Sequence, residues 1–150
     1  MCCVVCRDDL VKYIIMNNLN YNQKLSLLHN LLTLTRADQV ESECEVDFIY
    51  QIGAKLNVLK ADIDGLLSKK VEFHPPKEEH QRIVLFYTFL LVMKIDGKLS
   101  EEEIIVCGEI GFRLGLNPFA VQNLLDQITD NPKKKIPAID VISFFKLYHN

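Results

Sequence analysis

Apolar residues recur at helical spacing along almost the whole chain, and no stretch alternates with period two over strand length. Tyr21–Ala37 reads as a helix with Leu27, Leu28, Leu31, Leu32 and Leu34 turned inward. Glu43–Asn57 reads as a second, with Ile49, Ile52, Gly53 and Leu56 at i, i+3, i+4 and i+7, and Lys60–Ser68 as a short third. Lys69–Pro76 is a linker of mixed charge closed by Pro75-Pro76, which no helix continues through. Three further helices are predicted over Glu78–Ile95, Glu101–Gly115 and Asn117–Thr129. Asn131-Pro132 and Lys133–Lys135 form a turn. Pro137 suits a first helical position, so a seventh helix is expected from there to about His149. The fold class is all-α.

The fourth helix holds the most hydrophobic run, Ile83–Met93, broken by Tyr87 and Thr88. It is too short to cross about 30 Å of hydrocarbon, so no direct membrane insertion is expected. A helix apolar on nearly every side belongs at the centre of a bundle.

The chain also repeats itself at an offset of 58 residues. Asp38 falls on Asp96, Ser42 on Ser100, Glu43 on Glu101 and Glu45 on Glu103. Ile52, Gly53 and Leu56 fall on Ile110, Gly111 and Leu114, and Leu66-Leu67 on Leu124-Leu125. Upstream, Leu27, Leu32 and Arg36 meet Leu85, Leu90 and Lys94. Each half is helix, acidic turn, helix, short helix, with repeats over about 24–67 and 82–125. The expected architecture is a pseudo-twofold duplicated bundle of about seven helices, one helical domain over 21–150. Residues 1–20 are expected to be an N-terminal extension outside it, with Met16 an alternative start to Met1. Their mildly apolar, charge-interrupted sequence lacks the features of a signal peptide.

Composition changes this picture little. The 150 residues are 49% hydrophobic and 25% charged, which excludes intrinsic disorder and low-complexity scaffolds. A net charge of −3 gives no overall positive field, so no nucleic-acid partner is expected. Five cysteines, three crowded at Cys2, Cys3 and Cys6, show no disulfide framework and no zinc-ligand spacing. Reduced thiols and a cytoplasmic location are the expectation.

Candidate chemistry concentrates in the repeated turn, Asp38–Glu45 and Asp96–Glu103. Ser42 with Glu45, and Ser100 with Glu103, spell a capping box, in which the serine and the acid three residues on each accept the other's backbone amide. Capping does not explain Asp38 and Asp96, which the predicted helices place at C-termini, where a carboxylate faces the negative end of the dipole. Asp38, Glu45, Asp96 and Glu103 could therefore converge as oxygen ligands for a divalent cation, Ca2+, Mg2+ or Mn2+. Asp38 and Asp96 could equally sit in simple Asx turns. An EF-hand is excluded, because Val92 and Lys94 occupy the positions of its first two ligands.

Lys94-Ile95-Asp96-Gly97-Lys98-Leu99-Ser100-Glu101-Glu102-Glu103, leading to Gly111-Phe112-Arg113-Leu114-Gly115-Leu116, resembles the TerB-like family of all-helical, tellurite-resistance-associated domains. The resemblance covers Tyr21 to Ile128. It implies divalent-metal binding through paired acids and a role as an accessory protein within a membrane-associated stress complex. Similar domains precede J-domains in membrane-anchored co-chaperones, whereas this chain has no His-Pro-Asp. In the first half Gln39 replaces the family's glycine and Glu41 an apolar residue.

No catalytic or nucleotide-binding motif is present, so neither an enzyme nor a nucleotide cofactor is expected. His29, His74, His80 and His149 are scattered, and Cys107 falls on the inward face as a buried thiol. Lys133–Lys135 reads as a solvated loop. The terminal helix, with Ile142, Phe144, Phe145, Leu147 and Tyr148, is expected mostly to pack on the bundle, any exposed surplus marking a protein-partner site. Two functions remain from different classes. One is a divalent-cation-binding stress module; the other is a metal-free helical adaptor whose acidic turns are only caps.

Overall fold

The computed structural model describes residues 19–36, 43–69, 71–94 and 99–148, apart from the side chains of Cys44, Glu45, Val92 and Ala138. Among these residues it has seven α-helices and no strand. They are α1 (Tyr21–Thr35), α2 (Glu43–Lys55), α3 (Lys60–Asp64), α4 (Glu79–Lys94), α5 (Glu101–Arg113), α6 (Pro118–Asp130) and α7 (Ala138–Lys146). A 3-10 turn, Leu66–Ser68, follows α3.

Local chemistry sets the starts. The Asn20 side chain accepts from the Gln23 amide at 2.9 Å while the Gln23 side chain accepts from the Asn20 amide at 3.0 Å, a reciprocal cap. Asn117 accepts from the amides of Phe119 and Ala120, with Pro118 at the first helical position, where its missing N–H costs nothing. Two expectations need correction. The predicted Lys60–Ser68 helix changes to 3-10 geometry beyond Gly65. Pro137 is the N-cap of α7 and not its first residue, since its ψ of 150° is extended while its carbonyl accepts from Asp140 and Val141.

The duplication is written into the packing at the register of the sequence repeat. α2 and α5 both end on a left-handed residue, Asn57 (φ 57°) and Gly115 (φ 72°), 58 positions apart. In each, the next amide reaches back to a glycine carbonyl: Val58 to Gly53 at 2.9 Å, Leu116 to Gly111 at 3.2 Å. A basic side chain from the preceding helix seals both ends, Lys24 donating to the Leu56 carbonyl at 3.0 Å and Arg82 to that of Leu114 at 3.2 Å. Gly53 lies against Leu28 and Ile63, and Gly111 against Phe86 and Val121, again matched pairs. Between the halves α1 packs on α4, and the contact of α1 with α5 is reciprocated by that of α4 with α2. This reciprocity is what a twofold relation between the halves requires.

α7 breaks the symmetry by packing chiefly on α4. Phe145, 1% exposed, meets Phe86 edge-on at 6.0 Å between ring centroids. The turn before it is tied to α4 by Tyr87, whose hydroxyl donates to the Ile136 carbonyl at 2.8 Å, and by Lys94, which donates to the Lys134 carbonyl. α4 is thus covered from several sides, with Ile83, Val84, Leu85, Phe86, Phe89, Leu90 and Met93 all buried. Among the described residues no helix is long and apolar enough to cross a membrane.

Candidate functional site

Of the four acids proposed as cation ligands, Asp38 and Asp96 lie outside the described residues, as does the side chain of Glu45. Glu103 is therefore the one whose chemistry can be read. It sits in the first turn of α5 and is only 4% exposed. Its Oε2 accepts from the Ser100 amide at 3.0 Å and from the Ser100 hydroxyl at 3.1 Å. Ser100 Oγ in turn accepts from the Glu103 amide at 3.1 Å. The capping box expected from the sequence is complete, and the buried carboxylate also faces the positive end of the α5 dipole.

One turn further along, Cys107 is fully buried. Burial, and secondarily the negative charge of Glu103, push its thiol well above the ordinary range. A thiol held protonated and inaccessible is a packing residue and no nucleophile. Among the described residues no group of three or more His, Cys, Asp or Glu side chains is arranged to hold a metal ion.

The remaining candidates stand apart. His80 is exposed, and the His29 ring nitrogen lies 3.1 Å from the Leu66 carbonyl, a bond that fastens α1 to the 3-10 turn. Lys133, Lys134 and Lys135 are exposed, as the sequence suggested. In α7 and the turn that follows it, Val141 and Phe145 are buried and Ile142, Phe144 and Tyr148 partly so, while Ile139 and Leu147 face solvent.

Polar anchoring differs between the halves. Tyr21 and Tyr50 donate to Asp62 and Asp64 of α3, and Lys60 pairs with Asp64 at 3.2 Å. The hydrogen bond to Asp64 raises the Tyr50 pKa and, with that of Lys60, lowers the pKa of Asp64. These ties fasten a helix of five residues that has little length of its own to hold it.

A surface unmarked by any motif completes the inventory. Ile105 and Phe112 on α5 and Phe119 on α6 are 61%, 48% and 77% exposed. Helical periodicity assigned the inward faces well, yet it drew no notice to large apolar groups on the outward one. The signal that could have found them is a mismatch within the repeat, since their counterparts are Asp47, Ala54 and Ala61. Comparison with protein-family models, with curated proteins and with solved structures finds no match to this chain.

Proposed function

We propose that this chain is a non-catalytic helical interaction module, an adaptor whose repeated acidic turns serve as helix caps. One observation carries the reading: the Glu103 carboxylate is engaged by the amide and hydroxyl of Ser100 and is buried against its own helix start. That arrangement gives the acid a complete structural purpose. The resemblance of the Asp96–Glu103 turn to TerB-like domains supports an accessory role beside other proteins, in the cytoplasm and within a stress-related assembly. The same resemblance makes the divalent-cation module the rival reading, with Asp38, Glu45, Asp96 and Glu103 as ligands.

The two readings differ on what replaces Glu103. α1 already uses glutamine at the equivalent place in its own reciprocal cap, through Gln23. Glu103→Gln should therefore keep most of the stability. Glu103→Ala and Ser100→Ala should each lose about 1 kcal/mol or somewhat more. Because the two share the same bonds, the double alanine variant should fall well short of the sum, and denaturant unfolding measures this directly. Additive losses, or a Glu103→Gln variant no better than Glu103→Ala, would sink the cap reading.

A further inference from the structure

The duplicated fold supplies its own control for what the scaffold needs. Two copies of one helix-turn-helix unit place their outward positions in the same register, so a residue required by the fold should recur in both. At three such positions the second half carries a large apolar residue where the first does not, while at Leu59, 69% exposed and matched by Asn117, the first half does. Asp47, Ala54 and Ala61 are exposed in the first half; Ile105, Phe112 and Phe119 stand at the matching places in the second and are exposed as well. The first half shows that aspartate and alanine satisfy the architecture. Large apolar side chains at the same sites in the second half therefore serve something other than packing within this chain.

Exposed acids accompany these apolar residues. On the outward stripe of α5, Glu102 and Glu109 flank Ile105 and Phe112, where the first half has Cys44 and Gln51. On α6 the exposed stripe that begins with Phe119 includes Asp126, where the first half has Ser68. Phe112 and Phe119 stand on either side of the Gly115 turn in sequence, with Ile105 two helical turns before Phe112 and the acids along both helices. Both basic residues at this corner are engaged within the chain, Arg113 stacked 4.5 Å from the Phe73 ring centroid and Arg82 donating to the Leu114 carbonyl at 3.2 Å.

We infer that the α5–α6 corner of the second half is a docking face for a cationic amphipathic helix of a partner protein. The inference rests on the adaptor reading and specifies its partner's chemistry. Aromatic side chains anchor the apolar stripe of the incoming helix, and Glu102, Glu109 and Asp126 meet lysines or arginines along its edges. Charge complementarity of this kind speeds association and selects partners, and it weakens as salt screens it.

The test uses the full chain and two synthetic helical peptides with the same leucine stripe, one flanked by lysines and the other by glutamates. Fluorescence anisotropy should show saturable binding of the lysine peptide, with the glutamate peptide at least tenfold weaker. Ile105→Asp, Phe112→Ala and Phe119→Ala, made together, install the first half's residues, so the fold should survive; an unchanged melting curve checks this. That variant should bind the lysine peptide at least tenfold more weakly. Equal binding by variant and wild type, or preference for the glutamate peptide, would overturn the inference. So would sedimentation showing a dimer that the triple variant dissolves, since a second copy would then occupy the face. Binding that appears only once residues 1–15 are removed would overturn it too, by placing the chain's own N-terminal segment there. If the peptide fails while divalent cations leave the melting point still, this inference falls and the adaptor reading stands. If it binds while cations raise the melting point, the cap reading falls alone.

Discussion

Phe86→Ala is expected to destabilise the protein by about 3–5 kcal/mol, within the range for removing a fully buried aromatic ring. Phe86 is 0% exposed and meets two elements at once. Its ring edge lies against Gly111 of α5, and Phe145 of α7 closes the other side at 6.0 Å. Neither neighbour can follow the ring inward: glycine has no side chain to extend, and Phe145 is already 1% exposed. The void should therefore stay largely open, which puts the cost in the upper part of the range. For a domain of this size the melting temperature should fall by roughly 10 °C, and a circular dichroism melt measures it. A loss below about 1 kcal/mol would mean that α4, α5 and α7 do not converge on this ring.

Gly111→Ala is expected to follow, destabilising by about 1–3 kcal/mol through overpacking, less up to about 1 kcal/mol recovered from alanine's better helix propensity. A β-carbon at Gly111 would stand 2.9 and 3.0 Å from the two methyls of Val121 and 3.0 Å from the Phe86 ring. These are stiff obstacles, since Val121 is branched and buried and the ring is enclosed. Gly53, its counterpart, provides the contrast. A β-carbon there meets Ile63 Cδ1 at 2.3 Å, nominally a worse clash, but that atom is a terminal methyl on a second side-chain torsion, which valine lacks. Gly53→Ala should accordingly be the milder of the two, and paired melts of the single variants decide the order. The reverse order would show that relaxation of α4 and α6 outruns that of Ile63.

The second expectation concerns a pair, Gly53 and Gly111, that the sequence repeat had already matched. The helices were legible because amphipathic spacing, proline placement and capping side chains agreed along the chain. The helices predicted over Glu101–Gly115 and Asn117–Thr129 are found, with Asn117 as the cap before Pro118 and Gly115 in the left-handed conformation that ends α5. Where expectation missed, two local geometries competed. Pro137 has the fixed φ suited to either the cap or the first helical position, and only the extended ψ separates them. Beyond Gly65 the chain takes 3-10 geometry, and the Leu66 carbonyl in that turn meets His29 of α1, a tertiary contact that helical periodicity does not encode.

The site was legible only in part. Ser100 and Glu103 announced a capping box, and the structure builds it. The burial of Glu103 could not be read from a first-turn acid, since such acids are ordinarily solvated; it follows from how closely α5 is packed. Ile105, Phe112 and Phe119 were invisible to a search for similarity between the halves. An outward apolar residue looks like noise in a periodic pattern, and it acquires meaning only beside the polar or small residue that fills the same place in the other copy.

Divalent-cation titration of the melting temperature tests most directly whether the acidic turns are caps. Ca2+, Mg2+ and Mn2+ at millimolar concentration should each leave the wild-type melting temperature within about 1 °C of its cation-free value, since a cap has no coordination shell to fill. A bound cation would behave differently, adding about 2.7 kcal/mol at a hundredfold excess over Kd and lifting the melt by several degrees. A rise of that size, abolished by Asp96→Asn and untouched by a change at the exposed Glu102, would contradict the account.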